Sequence, residues 1–411
     1  MSRVARSPLV RTTKARPERA PLPKGFGVLW STVAIDLIGF GIAIPVLALY
    51  AKKEFGASPT QAGLLFASFS LAQFAMAPVM GRLSDRIGRK PVILLSLFGT
   101  AAGSLLSGAA PALWMLYVGR LVDGASGASV SVAQAAATDL ADPKDRPRVL
   151  GLLGAAFGIG FTVGPAIGGL AAWLGGPRAP FYVAAVLALV NGLVAIRRLP
   201  ETRGRRAVAV DRSAPKVGLS PAVKRLVLVM FLMTLAFSAF EATFSLFGES
   251  RFGLTEASVA WVFVLVGLSQ SVVQGRAVAP VTDRWGSTKV LMVALAVNGA
   301  GLAVLGLAEV WVVLLLSLLL LVVGQGLASP SLSTLVANAS GHSERGRLLG
   351  VQQAAGSLAR VVGPAIGGLL FQQIGVSAPY LVGAGVMALA LAVMLARVPV
   401  EKLNPGPVTQ G

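Results

Sequence analysis

Four ionisable side chains stand inside otherwise apolar stretches of this 411-residue chain: Asp36, Arg120, Asp123 and Glu241. An ion in hydrocarbon costs on the order of 2.5–3.5 kcal/mol even on insertion-based scales, so each needs a partner or a task. Asp36 and Arg120 both fall near the middle of their stretches, which leaves a contact between them geometrically open. Burial and a neighbouring guanidinium act on a carboxyl's proton in opposite senses. That opposition suits Asp36 to take up and release a proton as access changes, with Arg120 tuning it. Asp123, one helical turn from Arg120, could hold the arginine. A static ion-pair cluster that only orients helices is the plainer reading of the same residues.

Glu241 sits among Phe237, Phe240, Phe244 and Phe247, which fall at helical spacing on one face. A phenylalanine stripe alone is ordinary packing. An acid beside it suits contact with a proton or a lipophilic cation, through charge pairing and cation–π attraction. Arg360 lies mid-stretch where a related segment has Phe161, and is expected to meet an anion or a carboxylate. Gln325 is grouped with the candidate substrate contacts. Arg276, near the end of its stretch, is expected to snorkel, and the single histidine, His342, to be solvated in a loop. The sequence carries no P-loop, metal-ligand cluster, nucleophile elbow or haem motif, so an enzyme, an ATP-driven pump and a bound cofactor are not expected.

The elements that must place these residues are membrane spans. The chain is 55% hydrophobic and 13% charged, with a mean hydropathy of +0.75; soluble domains carry about a quarter of their residues charged. Apolar blocks of roughly 20 residues or more fall at 26–50, 60–81, 91–110, 112–138, 147–174 and 179–197. A second set follows at 223–248, 257–281, 289–308, 310–337, 346–373 and 377–396. The first is too long for a cleavable leader and contains Asp36, so the N-terminus is expected to be kept. The net charge of +19 is spread beside the spans rather than gathered in one stripe, which argues against a nucleic-acid partner. Zero cysteines exclude disulfides and thiolate metal sites.

Basic residues set the orientation. Arg3 to Lys24 in the N-terminal tail, Arg82 to Lys90, Lys144 to Arg148, and Arg197 to Arg225 all fall on one side; Lys52, Lys53, Arg178 and Arg251 are the loop cations of the other. Both termini and the central linker are therefore expected in the cytoplasm, which requires an even number of spans. The expected organisation is a basic tail (1–24), a six-helix bundle (25–198), a flexible cytoplasmic linker (199–222), a second six-helix bundle (223–397) and a short tail (398–411). The fold class is an all-α membrane protein of 12 transmembrane helices in two pseudo-symmetric bundles.

An internal repeat at ~200 residues supports that division. GPAIGG occurs at Gly164–Gly169 and again at Gly363–Gly368, each preceded by a similar polar loop, and SDRIGRK (84–90) is echoed by TDRWGSTK. Two related halves with a binding site between them form a recurrent plan of secondary transporters.

Three motifs carry a family resemblance. Gly81-Arg-Leu-Ser-Asp85-Arg86-Ile-Gly88-Arg89-Lys90 resembles the G-x-L-x-D-R-x-G-R-K signature of the major facilitator superfamily. Its glycines permit a tight turn, and its aspartate can pair with arginine and cap a helix. The resemblance implies a loop that latches the halves in one state, with Asp139 as its acidic partner. Gly151, Gly160, Gly164, Pro165, Gly168 and Gly169 are similar to the antiporter signature of drug:proton exporters in that superfamily. Glycines four apart allow close helix approach, and the proline permits a bend. The stretch from Asp36 to Leu47 resembles the first span of bacterial multidrug and tetracycline exporters. Arg120-Leu-Val-Asp123-Gly resembles the family's R-x-x-Q-G, with Asp123 in place of glutamine.

The resemblance implies a proton-coupled exporter of small lipophilic compounds in the bacterial cytoplasmic membrane, acting as a monomer by alternating access. Protons, a small-molecule substrate and lipid are its implied partners, and the proton gradient is its implied energy source. Export of a sugar or another metabolite, or uptake by symport on the same fold, are the alternatives; the glycine motif argues against uptake.

Overall fold

In the computed structural model, residues 22–127, 129–142, 145–203, 220–339 and 345–396 are described. Most of both tails, the centre of the linker, Lys144 and His342 lie outside them. Every regular element among the described residues is helical: α1 (Phe26–Phe55), α2 (Pro59–Ile87), α3 (Arg89–Gly108), α4 (Leu113–Ser126), α5 (Ser129–Leu140), α6 (Arg146–Gly175) and α7 (Ala179–Arg198). After the linker come α8 (Pro221–Phe252), α9 (Glu256–Val272), a π-helical turn (Val273–Ala277), α10 (Val278–Trp285), α11 (Ser287–Gly306), α12 (Trp311–Asn338), α13 (Arg345–Gln373) and α14 (Ala378–Leu395). Eleven helical stretches are long and apolar enough to cross a bilayer. Helices suit that setting because each satisfies its own backbone. Large apolar side chains such as Leu174, Val186, Leu265 and Val312 point outward, as lipid contact requires.

Local chemistry starts and stops these helices in the same way in both copies of the repeat. α1 and α8 end on left-handed glycines, Gly56 (φ 63°) and Gly253 (φ 65°). Ser58 and Thr255 then open α2 and α9 with capping boxes, completed by Gln61 and Ser258. Gly88 (φ 110°) and Gly286 (φ 75°) make the turns into α3 and α11. Packing repeats as well. α1 lies on α6 as α8 lies on α13, α3 touches α4 and α7 as α11 touches α12 and α14, and α6 meets α9 as α13 meets α2.

Two stretches depart from the expected spans. The block at 112–138 is divided into α4 and α5, neither of them long enough to count among the eleven. The run Gly-Ala-Ser-Gly is a poor helix former, and the Gln73 amide donates to the Gly127 carbonyl at 2.9 Å, taking an acceptor from the helical ladder. The π-helical turn follows α9. Gln270 to Asp283 is one residue longer than its counterpart, Gln73 to Asp85, and a π turn absorbs one extra residue without breaking the helix. Arg276 lies in that turn and is exposed.

Several buried polar groups bond across helices, while others, such as Thr32 and Ser317, return to a carbonyl of their own helix. Tyr50 Oη donates to the Ser107 carbonyl at 2.9 Å, Asn191 Nδ2 to the Thr32 carbonyl at 2.9 Å, and Thr243 Oγ1 meets Tyr380 Oη at 3.1 Å.

Candidate functional site

A central cavity, about 680 Å³ counted with its open mouth, lies where α1, α2, α4, α6, α8 and α13 converge. Its wall takes Phe40, Phe69, Phe157 and Phe161 from the first half and Phe237, Glu241 and Arg360 from the second. Three of the candidates from sequence, Arg120, Glu241 and Arg360, thus share one space with Phe237. Glu241 is half-buried, with Oε1 enclosed and without a hydrogen-bond partner; Arg360 is the cation whose field reaches it. A carboxylate so placed can be neutralised by a proton or by a ligand's cation.

Arg120 is 4% exposed and engages Asp123, Nη1 to Oδ2 at 2.7 Å. Its guanidinium carbon lies 4.4 Å from the centre of the Phe69 ring, and Thr100 hydrogen-bonds Asp123. The carboxylate that holds Arg120 is therefore Asp123, which the sequence offered as its electrostatic support. Asp36 is half-buried on α1, one turn before Phe40.

The other aromatic and amide candidates separate. Phe240 and Gln325 line a second, narrow space between α8, α9, α11 and α12, and Phe237 lines both. Phe244 is fully buried, packed against Phe240, Phe247 and Phe263; it belongs to the core of the second half. The first-half aromatics were not singled out from sequence. Their signal was present in α6, where Phe157 and Phe161, four apart, are the bulky side chains of a glycine-rich run.

The antiporter glycines divide between two contacts. A methyl on Gly160, Gly164 or Gly168 would lie within 2.7 Å of α1 at Leu37, Gly41 or Ile42. On Gly169 it would strike Ala260 of α9 instead, while Gly151 faces open space. The second copy repeats this arrangement. Gly363 and Gly367 abut Ser238 and Ala239 of α8, and Gly368 abuts Pro59 of α2. The small-residue stripe is thus a close-packed seam within each half, and its last glycine joins one half to the other. Pro165 stays within α6.

The halves meet at the end of the molecule that carries the α1–α2 turn. Lys52 pairs with Glu249 at 2.6 Å and Lys53 with Glu256 at 2.9 Å. Thr60 Oγ1 donates to the Gly368 carbonyl at 3.4 Å, and a methyl on Gly63 would lie 2.2 Å from the Pro364 carbonyl. This end is sealed by ion pairs above a seam of backbone contacts.

At the opposite end, α2 continues through the signature, so Gly81 and Asp85 are helical and Gly88 makes the turn by itself. Arg89 bridges Asp85 (2.7 Å) and Asp139 (3.1 Å), while Arg86 and Lys90 flank that turn. The cap of α3 comes from Glu201, which the sequence reading assigned to the linker. Its carboxylate accepts from the amides of Arg89 (2.9 Å) and Lys90 (3.1 Å), and from those of Thr202 and Arg203. A methyl on Gly88 would lie 2.5 Å from Glu201 Oε2, so glycine serves both the turn and the cap.

Burial acts on the Glu201 carboxyl upward, but the four amide donors outweigh it and hold the group below its ordinary value of 4.5. With the folded-state value depressed, the cap's contribution is present above the unfolded value and is lost as pH falls through the folded one. Glu201→Ala should lower stability by about 0.5–2 kcal/mol. Unfolding of the purified protein at pH 7 checks this, and the difference from wild type should shrink in acid.

Comparison with known proteins matches this architecture. The family model described as Major Facilitator Superfamily matches residues 29–278 and 226–410. The class B tetracycline resistance protein of Escherichia coli is 33% identical over 352 residues, 82% of this chain and 86% of that protein. Multidrug resistance protein 1 of Bacillus subtilis (strain 168) is 29% identical over 374 residues, covering 90% and 95%. Among solved structures, the human organic anion transporter MFSD10 (TETRAN) superposes with a TM-score of 0.69 at 26% identity, over 90% of this chain and 98% of that one. The nucleoside transporter NupG shares the fold, with a TM-score of 0.71 at 14% identity over 91% and 100%. With the repeated helix packing, the cavity between the halves and these matches in agreement, the chain belongs to the Major Facilitator Superfamily, a family of multi-pass membrane transporters.

Proposed function

We propose that this chain exports small lipophilic compounds, cations in particular, in exchange for protons by alternating access. The observation that carries the reading is Glu241, a carboxylate with an unpartnered oxygen in an aromatic-walled cavity between the halves. A proton and a bound cation compete for it, and that competition is what antiport needs. The tetracycline and multidrug resistance relatives support efflux as the direction. Asp36, on the approach to Phe40, and the Arg120–Asp123 pair are the further candidates for carrying or tuning the proton. For an uncharged substrate, one charge entering across ~100 mV supplies ~2.3 kcal/mol, enough for a roughly fifty-fold gradient; a monovalent cation leaving against one proton moves no net charge and is driven by the pH difference alone.

In this reading α4 and α5 together make a twelfth span, and residues 25–198 and 223–397 form two six-helix bundles joined by the linker at 199–222. Both termini lie in the cytoplasm of a bacterial cell. The sealed end is then the outer one, and the cavity collects substrate from the cytoplasmic side. Asp85 is held by Arg89 within its own half. The transporting unit in this reading is the monomer.

The chain has no cysteines, so Ala43→Cys, on the cavity wall, gives a clean reporter of access. A membrane-impermeant maleimide should label it faster in everted vesicles than in intact cells. Adding Lys52→Ala and Lys53→Ala should raise labelling in cells several-fold, since each exposed pair contributes up to about 1 kcal/mol. The function itself is tested by adding ethidium to everted vesicles that hold a proton gradient. Protons should leave the lumen as ethidium enters; ethidium movement without proton flux overturns the exchange.

Arg360, which is exposed on the cavity wall, favours a second reading, uptake of an organic anion by symport, the substrate class named for the human structural relative. An anion on Arg360 would need Glu241 protonated, so the proton would travel with the substrate. The sign of proton flux separates the two readings.

A further inference from the structure

The second space, between α8, α9, α11 and α12, occupies the place that the Arg120–Asp123 cluster fills in the first half. Close contacts set the correspondence. A methyl on Gly103 of α3 would meet the Asp123 amide at 2.6 Å, and one on Gly301 of α11 would meet the Leu321 amide at 2.9 Å. Leu321 therefore stands where Asp123 does, and Leu318, one turn earlier, stands where Arg120 does. Val266 lies as far past its cap, Thr255, as Phe69 lies past Ser58. The guanidinium, its carboxylate and the ring beneath it are thus replaced by two leucines and a valine, all three on the wall of the slot. Shorter side chains leave a narrow space where the long arginine would have run.

One part of the slot is polar. Asn298 Nδ2 donates to Gln325 Oε1 at 3.3 Å, and Gln270 lines the same wall. Phe237 lines both this slot and the central cavity, so its ring is the partition between them.

We propose that the slot is an apolar subsite of the central cavity. It takes the uncharged tail of a substrate whose cationic end lies at Glu241, with the Phe237 ring turning aside to admit it. The proposal rests on the efflux reading above. The chemistry fits a tail without formal charge. Each CH₂ buried against aliphatic walls should raise affinity up to about fourfold, and the amides can meet a carbonyl or hydroxyl but offer no ion pair. The halves thereby divide the work: the first seals its slot with an ion pair, and the second leaves its slot open to ligand.

The experiment follows ethidium export in everted vesicles and its inhibition by alkyltrimethylammonium ions of increasing tail length. In wild type, potency should rise with each added CH₂ until the slot is filled. Val266→Phe, which restores the first-half ring, should weaken the longer-tailed ions at least fivefold and leave the shortest unchanged. Leu318→Ala, which widens the slot, should extend the rise to longer tails. Membrane abundance and monodispersity after detergent extraction show that each variant is folded. If tail-length dependence is the same in wild type and both variants, the slot takes no ligand and this inference is overturned while efflux stands. If wild type exports no ethidium and binds none of the ions, the cationic efflux reading fails, and the inference fails with it.

Discussion

Glu241→Gln is expected to abolish proton-coupled export while leaving the protein folded in the membrane. The amide keeps the size of the acid and resembles its protonated form, so the fold loses nothing and the competition between proton and cation disappears. Charge-assisted contacts contribute about 1.5–3 kcal/mol each, so affinity for a lipophilic cation should fall about ten- to a hundred-fold. Proton release from everted vesicles on adding ethidium should vanish, and Glu241→Asp should restore part of it. A Glu241→Gln protein that still exchanges ethidium for protons at the wild-type rate would move the carrier's role to Asp36, for which Asp36→Asn is the corresponding variant.

The second large effect concerns folding. Arg120→Ala leaves Asp123 buried without its cation, and breaking a buried pair from one side costs about 3–5 kcal/mol. That is a large part of the ~5–15 kcal/mol by which domains are usually stable. Membrane abundance and monodispersity after detergent extraction should both drop sharply. The double variant Arg120→Leu/Asp123→Leu should recover them, because the second half already packs Leu318 and Leu321 at the same positions. Replacing a buried pair by apolar side chains of similar volume is often neutral or stabilising. If the double variant also restores transport, the pair serves structure alone. Folded protein that no longer transports would give Asp123 or Arg120 a part in coupling. Equal loss of protein in the single and double variants would contradict the compensation.

Most of the helical framework was legible because a bilayer imposes a coarse code. Length, hydropathy and basic flanks mark a span without any knowledge of its neighbours. The two departures show where that code ends. The division of α4 from α5 depends on Gln73, on a different helix, reaching the Gly127 carbonyl, and hydropathy carries no trace of such a contact. The π turn after α9 was encoded as one extra residue between Gln270 and Asp283, visible when the two halves are aligned in detail.

The site divides in the same way. Asp36, Arg120, Asp123, Glu241 and Arg360 declared themselves as charges where charges are costly, a property of each residue and its own helix. Which of them meet was a tertiary matter. Asp123 rather than Asp36 holds Arg120, since side chains three apart on one helix already share a face. Phe244, on the same stripe as Phe237, turns into the core because α9 covers that side with Phe263. Glu201 reads as one polar residue of a linker until the turn at Gly88 brings the α3 amides to its carboxylate.

By itself, then, the sequence determined that this chain crosses a membrane many times, that its halves are related, and which ionisable groups must have a purpose there. Only the tertiary structure decided that Glu241 and Arg360 face the same cavity, that Lys52 and Lys53 pair with the second half at the end carrying the α1–α2 turn, and that the counterpart of the Arg120–Asp123 pair is an apolar slot. The physical reason is range. Hydrophobicity and helical periodicity act along a single segment, whereas ion pairs, caps and cavities depend on what a distant segment places opposite.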